Sequence, residues 1–109
     1  MVSLETDLNG LILKNPIIAA SGTYGYNFEY NVFNDVKKLG AIVTKGVTLE
    51  VRSGNQGERL FETYGGMINR IGLENIGIYE FLKNQPKNLD YILNIAGACV
   101  EDYVTCANM

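Results

Sequence analysis

The sequence lacks histidine altogether and contains only two cysteines, Cys99 and Cys106. Without histidine, the commonest general base and the commonest metal ligand are both missing from these residues. The cysteines do not form a zinc-ligand pattern, so we expect reduced thiols and no metal site. Cys99 is predicted to be a small buried hydrophobe at the start of a helix, with a reactive thiol as the alternative, and Cys106 to be a structural residue within that helix.

Positive charge and long apolar runs are also scarce. Lysine and arginine total 9 against 12 acidic residues, and the net charge of −3 argues against a nucleic-acid partner. No uninterrupted apolar run approaches the roughly 18 residues of a membrane span. Residues 1–7 lack the basic start and apolar stretch of a signal peptide. We therefore expect a cytoplasmic protein, and its apolar fraction of 47% is typical of a globular domain.

The apolar pattern predicts alternating strands and helices. The Asn9-Gly10 pair, between two short apolar runs, predicts a β-hairpin over residues 4–13. Three further strands are predicted at 17–20, 41–44 and 91–95, and three helices at 28–39, 76–83 and 100–109. Asn27 is expected to cap the first helix, and Gly40 to end it. The apolar side of the last helix is predicted to contain Val100, Val104 and Ala107.

Strands that alternate with helices indicate parallel βαβ units in an α/β fold. Three such strands can form a small open sheet, or the first part of a (β/α)8 TIM barrel of about 250 residues. The third helix reaches the end of the sequence without a cap. We therefore favour the N-terminal portion of a barrel, preceded by the small hairpin, with residues 1–109 as one incomplete domain.

Polar residues follow the predicted strands. Ser21 follows the first strand, Lys45 and Gly46 follow the second, and Asn94 lies near the end of the third. The carboxyl ends of parallel strands meet at one edge of a sheet, where α/β folds bind ligands. Turns also use serine routinely, whereas a buried asparagine amide needs partners. A partly desolvated Lys45 needs an anion such as a phosphate, a carboxylate or an electron-rich cofactor ring, and the alternative is a lysine that snorkels at the rim.

A long stretch with little periodicity, residues 47–75, separates the second strand from the second helix. Such a stretch is usually functional or carries small strands of its own. Its last part, residues 69–73, offers an amide, backbone N–H groups and an apolar wall, which suit a flat polar ring. The alternative is an ordinary turn into the helix, capped by Asn75. Taken alone, Arg52, Arg59 and Arg70 are each interpreted as solvated surface charges.

Three segments of the chain resemble the dihydroorotate dehydrogenase family. They run from Leu8 to Gly25, from Leu39 to Glu50 and from Gly66 to Gly77, and the likeness continues through residues 93–97. Thr44-Lys45-Gly46 and the 69–73 loop are more similar to the class 1B, NAD-linked bacterial branch. The fumarate-using branch usually has Lys-Ser and a Met-Gly-Leu-Pro loop. Residues 55–59 depart from the family because they lack its common proline-rich form.

The resemblance implies a (β/α)8 barrel with FMN at its carboxyl face, which oxidises dihydroorotate to orotate in de novo pyrimidine (UMP) biosynthesis. In the family, a proton leaves C5 of the substrate and a hydride passes from C6 to flavin N5. The implied FMN-binding residues are Ser21, Lys45, Gly46 and Asn94. The implied substrate-binding residues are Lys45, Asn69, Arg70, Ile71, Gly72 and Leu73. The family's base is a cysteine on a later loop, so the base is expected beyond Met109 and this stretch alone is expected to be inactive.

The resemblance also implies partners. In class 1B, a subunit with FAD and a 2Fe–2S cluster carries electrons to NAD, so a homodimer associated with such a subunit is expected. Two alternative functions remain open from the sequence. One is another FMN-dependent TIM-barrel oxidoreductase with a different ring substrate. The other is a non-catalytic α/β binding module that folds by itself.

Overall fold

A computed structural model describes residues 2–26, 34–87 and 89–109. Its strands are β1 (Thr6–Leu8), β2 (Leu11–Leu13), β3 (Ile18–Ala19), β4 (Ala41–Val43), β5 (Leu60–Thr63), β6 (Gly66–Asn69) and β7 (Tyr91–Ile92). Its α-helices are α1 (Gly77–Asn84) and α2 (Val100–Ala107). The order is that of an α/β chain, with three small sheets. Within the described residues, no helix has the length and apolar character needed to cross a membrane.

The predicted hairpin at the start of the chain is confirmed. Strands β1 and β2 pair antiparallel, with Thr6 opposite Leu13 and Leu8 opposite Leu11. The two turn residues, Asn9 and Gly10, have φ angles of 50° and 96°. Positive φ at both positions matches the two-residue turns whose twist suits a hairpin, and asparagine followed by glycine adopts it most readily.

A parallel sheet of three strands, in the order β3-β4-β7, forms the centre of the structure. Ile18 pairs with Ala41, and Ile42 pairs with Tyr91. Beyond the strands, Val47 and Ile95 form one more parallel bridge. The predicted parallel pairing of the three strands is confirmed, and α1 lies between β4 and β7 in the chain as a βαβ unit requires.

The first predicted helix lies mostly outside the described residues, as does its expected cap, Asn27. Its described end, Asn34–Lys38, is a 3-10 helix and not the α-helix that was predicted. The second predicted helix is confirmed as α1, one residue further along the chain. Its Ile78 and Phe81 are fully buried and join Tyr26, Val47 and Cys106 in the core. The Phe81 ring lies edge-on to Tyr91 at 5.7 Å, which ties α1 to the sheet.

Helix α2 corrects two predictions. Val100 and Val104 are 72% and 54% exposed, so the predicted apolar side is not the buried one. Cys106 packs into the core instead, and burial raises the pKa of its thiol. Cys99 was predicted to be buried but is exposed, because it occupies the N-cap position where the chain turns into the helix.

Many large apolar side chains stay exposed, including Ile12 and Ile17 beside the sheet and Val100 on α2.

The prediction that residues 47–75 are functional or carry strands of their own is confirmed for the strands. Strands β5 and β6 form a second antiparallel hairpin, with Leu60 opposite Asn69 and Thr63 opposite Gly66. All residues of this hairpin's strands are exposed.

Candidate functional site

The carboxyl ends of the three parallel strands are joined by side-chain hydrogen bonds. The Ser21 hydroxyl donates to the Thr44 carbonyl oxygen at 2.7 Å. The Asn94 side-chain amide donates to Ser21 Oγ at 2.9 Å, and the Asn94 backbone nitrogen donates to Thr44 Oγ1 at 3.1 Å. Ser21 and Asn94, which are far apart in the sequence, therefore meet at one edge as predicted.

Thr44 is the residue that sequence reasoning missed. It is completely buried, and it accepts hydrogen bonds from both Ser21 and Asn94. The available signal was a hydroxyl at the end of the apolar run Ile42-Val43. A buried hydroxyl needs a partner, and here that partner is the backbone nitrogen of Asn94, a predicted site residue.

Lys45 follows Thr44 and is half-buried. Its backbone nitrogen donates to the Gly25 carbonyl at 2.8 Å, which ties the strand end to the loop after β3. Among the described residues, no carboxylate or other acceptor is bonded to the Lys45 ammonium group. Within the described residues, this partly desolvated cation therefore has no anionic partner. An anionic ligand would stabilise it.

Gly46 brings the distant loop to this edge. It is buried, and a Cβ atom at this position would lie 3.4 Å from Leu73 Cδ1 and 3.6 Å from Asn94 Nδ2. Leu73 and Asn94 thus flank the same piece of backbone. Four of the predicted site residues, Ser21, Gly46, Leu73 and Asn94, are connected by these contacts.

The rest of the predicted loop is held by the segment before the second hairpin. Asn69 pairs with Leu60, and the Arg70 backbone nitrogen donates to the Arg59 carbonyl at 2.8 Å. The Arg70 guanidinium group is exposed and donates to the Gln56 carbonyl at 3.0 Å. Asn69 therefore pairs within the hairpin and Arg70 contacts the segment before it, while Leu73 reaches the strand ends.

Gly72 has a structural reason to be glycine. Its φ is 80°, and a Cβ atom would lie 2.6 Å from the Asn55 backbone nitrogen. Asn55 holds the two residues that precede Gly72, because its backbone nitrogen donates to Ile71 O at 2.9 Å and its amide donates to Arg70 O at 2.8 Å. The loop conformation thus depends on a close approach that only glycine permits.

Arg59 corrects another prediction, because it is not a solvated charge. Its guanidinium group forms a 2.7 Å ion pair with Glu74 and donates to the carbonyl oxygens of Asn55 and Ser53. These bonds tie the start and end of the long stretch together. Arg52 is exposed, and its backbone pairs with Asn75.

The site as a whole combines unlike surfaces at one sheet edge. Ser21 and Asn94 present polar groups, and the Asn94 side-chain oxygen accepts no hydrogen bond from the described residues. Gly46 is buried between Leu73 and Asn94, and Leu73 adds an apolar surface. Lys45 adds positive charge. Such a site suits a flat, partly anionic ring with hydrogen-bonding groups on its rim.

Residues 3–109 match the family described as dihydroorotate dehydrogenase. The chain belongs to the dihydroorotate dehydrogenase family. The resemblance of its three segments is therefore confirmed over nearly the whole chain.

Curated relatives carry the name "Dihydroorotate dehydrogenase B (NAD(+)), catalytic subunit". The protein from Caldicellulosiruptor saccharolyticus is 45% identical over 108 residues, covering 94% of this chain and 36% of the relative. That from Porphyromonas gingivalis is 46% identical, with 94% and 36% covered. That from Brachyspira hyodysenteriae is 46% identical, with 100% and 37% covered. The chain thus spans little more than a third of the length of these dihydroorotate dehydrogenases.

Proposed function

We propose that this chain is the N-terminal part of a class 1B dihydroorotate dehydrogenase catalytic subunit. The intact protein would oxidise dihydroorotate to orotate in de novo pyrimidine biosynthesis. One observation carries the proposal. Lys45, without a described partner for its charge, follows a strand whose end also joins Ser21, Asn94 and Leu73. A chain about 45% identical to dihydroorotate dehydrogenases thus has a site that suits an anionic ring.

The proposal includes a (β/α)8 barrel. The parallel strands β3, β4 and β7 lie in chain order, which is the order of neighbouring strands in a barrel. Exposed apolar residues such as Ile17 and Val100 need a cover, and further strands and helices of the barrel would supply it. Residues 1–109 would then be the first part of one FMN-binding domain.

The residues at the sheet edge fit FMN. The isoalloxazine ring is flat and has carbonyl oxygens and a ring N–H on one side. The free side-chain oxygen of Asn94 can accept from such an N–H, and the Lys45 ammonium group can donate to ring acceptors. Ser21 already donates its hydroxyl hydrogen to Thr44, so its oxygen would contact the ring as an acceptor. Gly46 leaves room for close approach of the ring. When bound, FMN supplies the hydride acceptor.

The 69–73 loop and Lys45 would bind dihydroorotate, whose carboxylate is negative. Lys45 offers a cation, and Leu73 offers an apolar wall beside Gly46. Asn69, Arg70, Ile71 and Gly72 would add the amide and backbone donors of the loop. The catalytic base would lie beyond Met109, so residues 1–109 alone would be inactive.

The names of the relatives indicate a partner subunit. They describe a catalytic subunit linked to NAD(+), and such a name implies another subunit. We propose a cytoplasmic homodimer associated with an FAD and 2Fe–2S subunit that passes electrons to NAD.

The test is anaerobic flavin reduction in a single turnover of the intact protein. Dihydroorotate should bleach the flavin of the unsubstituted protein, and Lys45→Ala should slow this at least about tenfold because a positioned charge is lost. Lys83→Ala is the matched control, because Lys83 is exposed on α1 and paired with Glu80. Equal rates for Lys45→Ala and Lys83→Ala would remove the assigned role. Failure of dihydroorotate to bleach the unsubstituted protein would favour another FMN-dependent oxidoreductase.

A further inference from the structure

Asn75 is a buried polar residue just after the candidate substrate loop, and it is only 3% exposed. Its side-chain oxygen accepts three hydrogen bonds. They come from the Thr48 backbone nitrogen at 3.0 Å, from the Gly77 backbone nitrogen at 2.9 Å, and from the Thr48 hydroxyl at 3.0 Å, which shares its single hydrogen with the Glu50 carbonyl oxygen at 2.5 Å. Asn75 is therefore anchored to the segment after β4 and to the first residue of α1.

The nitrogen of the same side chain bonds a different part of the chain. Asn75 Nδ2 donates to the Leu73 carbonyl oxygen at 2.8 Å. Leu73 has a φ of 55°, in the left-handed region that a leucine rarely adopts. A backbone held in this conformation needs surrounding contacts that fix it. The Asn75 amide supplies one directly, from an anchor that three other bonds hold in place.

The conformation of Leu73 matters because its side chain reaches the sheet edge. Leu73 Cδ1 lies 3.4 Å from the position of a Cβ atom on Gly46, beside the Asn94 amide. Rotation of the Leu73 backbone out of the left-handed region would redirect this side chain. The apolar wall of the site would then move away from Gly46.

We propose that Asn75 is a positioning residue for substrate binding. Its amide holds Leu73 in the left-handed conformation and so keeps the 71–73 backbone and the Leu73 side chain against Gly46. This inference rests on the proposed function, because it assumes that the loop binds the ring substrate. A cap for α1 alone would need only the side-chain oxygen of Asn75 and not its nitrogen.

Asn75→Asp separates the two roles, because it keeps an acceptor for Thr48 and Gly77 but loses the donor to Leu73. In the intact flavin-loaded protein, we expect the orotate Kd and the dihydroorotate KM to rise about tenfold, with kcat changed less than KM. Asn84→Ala is the matched control, because Asn84 is an exposed asparagine on α1 bonded to Glu80. It should leave both constants unchanged.

Two further measurements test the mechanism. In flavin-free protein, hydrogen exchange of the 70–75 amides should be faster in Asn75→Asp than in Asn84→Ala. In a Leu73→Gly background, Asn75→Asp should have a smaller effect on orotate Kd, because glycine adopts positive φ without support. An equal effect in both backgrounds would overturn the proposal, as would a lowered Tm with unchanged Kd and KM.

Thr48→Val provides a test if Asn75→Asp does not fold. It removes one of the three bonds to the Asn75 oxygen, so it should raise the orotate Kd in the same direction by a smaller factor. An unchanged Kd in this variant would also contradict the proposal. Failure here is distinct from failure of the proposed function, because unsubstituted protein bleached by dihydroorotate would keep that function intact.

Discussion

The buried hydroxyl of Thr44 accepts a hydrogen bond from the backbone nitrogen of Asn94 at 3.1 Å. This bond joins the ends of two neighbouring parallel strands. The carbonyl of Thr44 accepts from Ser21 at the same place, so one residue orders polar groups on both sides of it. A binding edge built in this way depends on a side chain that need not contact the ligand.

Thr44→Val should therefore weaken the proposed binding of FMN to the intact protein. Valine has nearly the same shape but leaves the Asn94 backbone nitrogen without its acceptor, which costs about 1–3 kcal/mol when the group is buried. We expect about a tenfold higher Kd for FMN, measured by quenching of flavin fluorescence. Thr44→Ser retains the hydroxyl and should bind FMN nearly as the unsubstituted protein does. Unchanged binding by Thr44→Val would show that this bond does not order the edge.

Gly40→Ala should destabilise the protein because there is no space for the added methyl group. A Cβ atom on Gly40 would clash with the Asn15 carbonyl oxygen, which is backbone and cannot rotate away. Overpacking of this kind costs about 1–3 kcal/mol or more. Gly66→Ala is the control, since its nearest neighbour is Thr63 Oγ1 at 3.4 Å. Urea unfolding midpoints measure the difference, and equal midpoints for the two variants would contradict the predicted clash.

Asp102 should make stability depend on pH in the acid range. The hydrogen bond from the Ala98 backbone nitrogen, at 2.8 Å, lowers the pKa of this carboxyl group. A lowered pKa in the folded state stabilises the protein above the unfolded pKa, and the contribution is lost as pH falls through the folded pKa. The difference in urea midpoint between unsubstituted protein and Asp102→Asn should therefore shrink below about pH 4. A difference that stays constant over this range would contradict the assignment.

Local signals predicted much of the fold. Asn9-Gly10 specified its hairpin because both turn positions favour positive φ. The apolar runs of the three parallel strands, and the spacing of Ile78 and Phe81 in α1, were also sufficient, since each pattern depends on neighbours in the sequence. The side of α2 that is buried was not predictable from Val100 and Val104. Helical spacing shows which residues share a face, but the core around Phe81 decides which face it contacts.

Site residues that directly follow a strand were predictable from the sequence. Residues that hold those site residues in place were less predictable. Ser21, Gly46 and Asn94 meet because parallel strands end at one edge. The roles of Thr44 and Asn55 depend on backbone atoms that are distant in the sequence. Arg59 was predicted to be an ordinary surface charge because its partner is distant in the sequence. The two ends of the long stretch meet in the fold, and this places Glu74 2.7 Å from the Arg59 guanidinium group.

The order of the parallel sheet has a consequence for biosynthesis. Each of its strands pairs with the strand of the same sheet that precedes it in the chain, so all of these pairings can be complete once Ile92 has been made. On the ribosome, domains generally fold from the N-terminal end as they emerge. The Ser21–Thr44–Asn94 network requires nothing later than Asn94 and can therefore assemble while translation continues.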